Sequence, residues 1–231
     1  MKNLLTVLIC TGLALNLLHL PVNGQQTNSK TDELEKKFYQ AMNMNEESLK
    51  NYSWESRTDV STKDDKVLDI LIEAFNYGSD GKLQKKVIND QQAKLPSSFL
   101  LRNLAEKMKA KLVTYMNDLD VFLGKYSPDD QKNGRLFFSK ATIRPPDSDG
   151  QILVSAENVN INGDKMSWWI DKNTYSLTKR TISTTFEGGN IEFTATYKYI
   201  PGGINYMAYA ELLIPAKNLI VKIHYFDYKK N

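Results

Sequence analysis

Cysteine is nearly absent from this sequence: the one cysteine in 231 residues is Cys10, inside an apolar run near the N-terminus. After that run the chain has no thiol to act as a nucleophile, bind a metal or form a disulfide. Histidine is almost as scarce, with His19 in the same run and His224 near the C-terminus. We interpret His224 as structural, because nothing near it in the sequence identifies a nucleophile that it could activate.

An excess of charge of one sign is also missing. Lysine and arginine number 30 against 27 aspartate and glutamate residues, for a formal net charge of +3. This excess is too small for the electrostatic footprint of a nucleic-acid-binding protein, so no nucleic acid is expected as a partner.

No metal site or cofactor is predicted. Residues 147–150 (DSDG) have the beginning of a calcium loop but lack its later oxygen ligands, so a turn is the favoured interpretation. The glycine pairs at 188–189 and 202–203 lie between expected strands, and a phosphate cradle would need a helix N-terminus there.

Long apolar runs are limited to one, at residues 4–20. This length is at the lower limit for a membrane span, and Val22 and Gly24 provide the small residues that a signal peptidase requires. The pattern predicts a signal peptide, residues 1–24, cleaved between Gly24 and Gln25. We expect a periplasmic or secreted protein with no transmembrane segment after cleavage, and a cysteine-free exported chain suits a bacterial periplasm.

Strands dominate what is present. Residues 166–228 predict five consecutive strands, and within them residues 191–199 alternate apolar and polar side chains, the pattern of a strand with one buried face. Asn162-Gly163 predicts a hairpin turn. Further strands are predicted at residues 51–60, 67–77, 82–89 and 151–161.

Helices are predicted in three places. One begins near Thr31, and a helical insert spans about residues 96–125, where apolar residues recur at spacings of three and four. The length of the insert predicts a break near Asn117 and Asp118. A polar linker follows at 127–133, and then a short helix or strand near 136–143. The chain shows no repeat and no linker between domains, so residues 25–231 are expected to form a single α+β domain.

Apolar and aromatic residues lie on both faces of the late strands. Trp168 and Trp169 are adjacent, so in a strand they must point to opposite sides. Helices can cover one face, whereas a second apolar face needs another sheet wall, a partner or an apolar ligand. A packed barrel and a ligand cavity are both compatible with this pattern.

Two segments carry a resemblance to a known family: LKNYSW at residues 49–54 and WWIDKNTYSLTKRTISTTFEGGNIEFTATYKY at residues 168–199. Together with the signal peptide, the N-terminal helix and the helical insert, they resemble the LolA/LppX superfamily of periplasmic carriers. The resemblance implies a curved antiparallel sheet that forms an incomplete β-barrel, a half-barrel, covered by a lid of two to three helices. It also implies an apolar cavity that accepts acyl chains.

The function that follows from this resemblance is a non-catalytic carrier of a lipid, a lipoprotein acyl chain or another hydrophobic ligand. Such a carrier needs no catalytic group, because an acyl chain gains about 0.8 kcal/mol for each buried methylene. The candidates for the cavity wall are Trp54, Trp168, Trp169, Phe186, Tyr197 and Tyr206. The candidates for the lid are Met108, Leu112 and Met116.

Two alternatives stay open. A ligand-free interaction module on the same fold would bind another cell-envelope protein through a sheet edge or the lid, and a filled interior would favour it. A hydrolase would require carboxylates with raised pKa values clustered in a cleft.

Overall fold

The computed structural model describes residues 29–92 and 99–231. The predicted signal peptide and the first residues of the predicted insert, 96–98, lie outside the described residues. In the described part of the chain the helices are α1 (Ser29–Leu49), α2 (Phe99–Gly124) and α3 (Gln131–Lys140). The strands are β1 (Tyr52–Thr62), β2 (Val67–Tyr77), β3 (Leu83–Gln92), β4 (Thr142–Ile143), β5 (Gln151–Glu157), β6 (Lys165–Asp171), β7 (Leu177–Phe186), β8 (Gly189–Ile200), β9 (Ile204–Ile214) and β10 (Leu219–Lys230).

All ten strands form one antiparallel sheet, in the order β3-β2-β1-β10-β9-β8-β7-β6-β5-β4. The pairing of β1 with β10 joins the first three strands to the rest. The sheet is not closed, because β3 and β4 are its two edges. The predicted α+β half-barrel with a helical cover is confirmed, and so are the five consecutive strands near the C-terminus, β6–β10.

The path of the chain places α2 and α3 between the two edges of the sheet. The chain leaves the sheet at β3 and returns to it at β4, and α2 and α3 form the connection. Residues aligned across neighbouring strands share a face of the sheet, and Trp168, which packs with α1 and α3, is aligned through Arg180 with Ala195, which packs in the cluster of α2. The helices therefore pack on one face of the sheet, which we call the inner face.

The inner face carries two apolar clusters. The first cluster lies between α2 and the sheet. It includes these buried residues: Trp54, Leu71, Leu119 (from α2), Ile191, Leu212 and Val221. The second cluster lies under α1 and α3 and includes Phe38, Phe137, Phe138, Val154, Trp168 and Ile170. Four partly buried residues pack against both clusters, and we call them the junction: Phe122, Leu123, Phe193 and Tyr197.

Two predicted details of the helices are wrong. α2 continues without a break through Asn117 and Asp118. Its packed face, which includes Met116 (3% exposed) and Leu119 (0% exposed), outweighs the weak helix propensity of these two residues. The predicted polar linker at 127–133 also ends early, because the Asp130 carboxylate accepts from the backbone N–H of Lys132 and caps α3.

The strand predicted at residues 151–161 ends at Glu157, and residues 158–164 form a loop instead of the tight Asn162-Gly163 hairpin. The loop wraps around the side chain of Asp164, which is fully buried. Its carboxylate accepts from the backbone N–H groups of Val159, Asn160 and Ile161 at 2.6, 2.9 and 3.0 Å. These hydrogen bonds satisfy the backbone N–H groups of the loop, so the loop does not need the hydrogen bonds of a continued β5–β6 pairing.

Candidate functional site

The surface between α2 and the sheet is the candidate site, because there a separate element covers the apolar inner face. Tyr115, Met116 and Leu119 of α2 are buried in the first cluster, at most 6% exposed. Leu112 packs against the same cluster while partly buried. Of the three lid candidates, Leu112 and Met116 thus contact the first cluster, whereas the side chain of Met108 lies outside the described part of the chain.

Four of the predicted wall residues belong to the first cluster or pack against it, and one of the four, Tyr197, also packs against the second cluster. Trp54 stacks on Phe75 and on Tyr228, and the ring centroid of each lies 5.6 Å from that of Trp54. Tyr206 contacts Tyr228 at 4.4 Å. Phe186 lies beneath α2, at 5.4 Å from Tyr115 and 5.0 Å from Phe122. A molecule placed under α2 would meet these rings.

Trp168 and Trp169 lie on opposite faces of β6. Trp168 is fully buried in the second cluster, with its ring centroid 4.3 Å from that of Phe137. Trp169 faces away from the helices, and Lys179 Nζ lies 5.0 Å from its ring centroid. The structure therefore places Trp169 outside the surface that the helices cover.

The junction contains the last predicted wall residue, Tyr197. Desolvation raises the pKa of its hydroxyl, while the positive charge of Arg180 and a hydrogen bond from it lower that pKa. Arg180 was not among the sequence candidates. Its guanidinium lies 4.8 Å from the ring centroid of Phe193, so a positive charge sits where the two apolar clusters meet. The alternation along β7 contained a signal, because Arg180 shares its face with Ile182.

A buried polar stripe lies beside the first cluster, on β1 and β2. Ser56, Thr58, Asp69 and Glu73 are each at most 5% exposed. Lys85 Nζ of β3 lies 3.2 Å from Glu73 Oε1, and burial raises the pKa of Glu73 while Lys85 lowers it. On α2, burial raises the pKa of Asp120 from 3.8 to about 6, and Lys85 opposes that shift. Burial on α2 therefore disfavours the charged form of the Asp120 carboxyl.

Asp120→Asn is expected to stabilise the protein near neutral pH by about 1 kcal/mol, after allowance for solvent screening. The pKa of Asp120 is higher in the folded state than in the unfolded state. Below about pH 4 the carboxyl is protonated and neutral in the folded protein, so its burial does not lower stability. As the pH rises through about 6 the carboxyl becomes charged, and the cost of burying that charge then lowers stability in full. The gain from the substitution should therefore vanish at about pH 4. Urea unfolding at both pH values checks this, with Asp118→Asn, an exposed change on the same helix, as the control. Equal effects of the two variants at both pH values would contradict the assignment.

The described residues show no arrangement for metal chemistry: within them, no group of three His, Cys, Asp or Glu side chains could hold an ion. None of the helices in residues 29–92 and 99–231 combines the length and apolarity that a bilayer span requires. Among the described residues, open grooves of about 460 and 480 Å³ lie between α1 and α3 and beside β4–β6, respectively. Among the described residues, Tyr115, Met116 and Leu119 of α2 are buried against the inner face, so a ligand that binds beneath these side chains requires α2 to move.

No family model and no curated protein sequence matches this chain. It is similar to a DUF1329 family protein from Desulfovibrio piger, at 11% identity and a TM-score of 0.44, over 88% of this chain and 92% of that chain. It is also similar to a LolA superfamily protein from Nitrosomonas europaea, at 10% identity and a TM-score of 0.35, over 78% and 86% of the two chains. A third structure, a domain described as an outer membrane lipoprotein-sorting protein from Vibrio parahaemolyticus, is 8% identical, with a TM-score of 0.42 and coverage of 86% and 92%.

Proposed function

We propose that this protein is an exported, non-catalytic carrier that binds a lipid, a lipoprotein acyl chain or another hydrophobic ligand between α2 and the inner face. The observation that carries this proposal is the junction. There α2 contributes Phe122 and Leu123 to both apolar clusters, so one helix covers a continuous apolar surface. The predicted signal peptide supports the export of the protein.

The hydrophobic effect allows an acyl chain to replace α2 on the inner face. α2 inserts Tyr115, Met116 and Leu119 into the first cluster, and these side chains fill the volume that an acyl chain would occupy. Moving α2 outward exposes apolar surface to water, which costs about 25 cal/mol of free energy for each Å² exposed. An incoming chain recovers about 0.8 kcal/mol for each methylene that it buries, so a long chain can offset the cost.

A ligand-free interaction module is the second candidate. It is favoured by the packed inner face, since side chains already fill the space under α2 in the described residues. The two candidates differ in whether α2 leaves the sheet when an amphiphile is offered, and one experiment separates them.

We expect a fatty acid brominated along its chain to quench the fluorescence of Trp54, because bromine quenches only on contact. Trp54→Phe should remove most of the quenching, and Trp168, which lies in the second cluster on the same face, should account for any remainder. Trp169→Phe should leave it unchanged, because Trp169 lies on the outer face. Titration of the three proteins, purified without detergent, measures both effects. An absence of saturable quenching would reject the carrier, and a loss of quenching only in Trp169→Phe would place the chain on the outer face.

A further inference from the structure

Arg180 occupies a position where the fold otherwise places apolar side chains. On β7 it pairs with Trp168 of β6 and with Ala195 of β8, and both of these residues are fully buried on the inner face. The next inward residue along the strand is Ile182, which is 4% exposed. An arginine among such neighbours costs free energy of desolvation unless acceptors surround it.

The acceptors around Arg180 are incomplete. Its Nε and Nη1 atoms are buried, and neither has a hydrogen-bond partner. The Phe193 ring, 4.8 Å from the guanidinium carbon, stabilises the face of the cation through its π system. A ring contact satisfies none of the N–H donors, which point outward in the guanidinium plane.

The carboxylate of Asp129, whose charge interacts with that of Arg180, does not satisfy these donors. Asp129 lies in the connection between α2 and α3, and its carboxylate accepts from Ser127 Oγ at 3.1 Å. Among the described residues, no carboxylate lies within ion-pair distance of Arg180. Asp129 remains exposed, yet desolvation raises the pKa of its carboxyl, and the charge of Arg180 opposes that shift.

We propose that Arg180 binds the anionic headgroup of the ligand, a carboxylate or a phosphate, while the acyl chain lies along the first cluster under α2. This inference rests on the proposed carrier function and deepens it by naming the ligand class as anionic amphiphiles. Adjacent N–H donors of a guanidinium match two oxygens of one such headgroup. The junction then positions both parts of the ligand, because Phe193 contacts the cation and also packs against the first cluster.

The test compares a long-chain fatty acid with the fatty alcohol of the same length, and lysophosphatidic acid with lysophosphatidylcholine. Binding is measured by native mass spectrometry and by tryptophan fluorescence. Arg180→Gln removes the proposed headgroup contact. Lys179→Gln is the matched control, because it removes one positive charge from the adjacent outward position of the same strand. Asp129→Asn removes the competing negative charge from an exposed loop.

The wild-type protein and Lys179→Gln should bind the acid about tenfold or more tightly than the alcohol. Arg180→Gln should bind both equally, at the affinity of the alcohol. Asp129→Asn should tighten binding of the acid roughly threefold and leave binding of the alcohol unchanged. If Arg180→Gln does not fold, this variant tests the headgroup assignment in its place. Stronger binding of the fatty acid, or of lysophosphatidic acid, identifies a carboxylate or a phosphate as the preferred group.

Equal affinity of the wild-type protein for acid and alcohol would overturn the headgroup assignment and leave the carrier intact. Binding of none of the four compounds would overturn both proposals.

Discussion

Asp164→Ala is expected to lower the free energy of unfolding by about 4 kcal/mol, the largest loss of stability that we expect from a single polar substitution in this protein. The Asp164 side chain is fully buried and holds three backbone N–H groups of its loop. It also accepts from Tyr126 Oη at 3.0 Å, and Tyr126 is itself fully buried. Alanine would leave the buried Val159 N–H and the part-buried N–H groups of Asn160 and Ile161 without this acceptor, while Tyr126 Oη would keep Thr184 Oγ1 at 3.0 Å as a partner. Each buried donor left unpaired costs about 1–3 kcal/mol.

Asp147→Ala provides the control. The Asp147 carboxylate also accepts from two backbone N–H groups, those of Asp149 and Gln151, both at 2.9 Å. This loop is exposed, so water can replace the carboxylate and the loss should stay below about 1 kcal/mol. Urea unfolding followed by circular dichroism measures both variants. Losses of similar size in the two would show that burial of the Asp164 network does not stabilise the fold.

Fixing α2 to the sheet is expected to abolish ligand uptake. Lys217 Nζ, in the turn between β9 and β10, lies 4.5 Å from the ring centroid of Tyr115 on α2. Cysteines at positions 115 and 217 can therefore be joined by a short bis-maleimide. Cys10 lies in the predicted signal peptide, so the introduced pair should be the only thiols of the processed protein.

Uptake is followed by the quenching of Trp54 with the brominated fatty acid. The same double variant treated with a monofunctional maleimide is the control, because it carries the same modifications without the link. The control should retain uptake, and the cross-linked protein should lose it at least about tenfold, since α2 can no longer leave the inner face. Undiminished uptake by the cross-linked protein would show that α2 does not cover the binding surface.

Local patterns in the sequence predicted most of the strands. In β8 the buried residues Ile191 and Ala195 fall on the inner face and Glu192 on the outer one, as the alternation indicated. The same pattern could not tell which of Trp168 and Trp169 faces the helices, because alternation fixes relative directions and the packing of α1 and α3 decides the side.

Contacts between distant residues explain what the sequence did not predict. The loop after β5 is held by Asp164, whose partner Tyr126 lies 38 residues earlier in the chain, beyond the reach of any local pattern. The continuity of α2 depends on Met116 and Leu119 packing on strands that are distant in sequence. At the junction, alternation alone places Arg180 on the inner face, whereas the missing acceptors for its Nε and Nη1 atoms are a property of the folded structure.

Native mass spectrometry of the protein, expressed with its own N-terminal segment and purified without detergent, tests the carrier most directly. We expect adducts of lipid mass that organic extraction releases, and renewed adducts after the extracted protein is incubated with lipid vesicles. A protein that keeps its apo mass both after purification and after incubation with vesicles would contradict the carrier and favour the ligand-free interaction module.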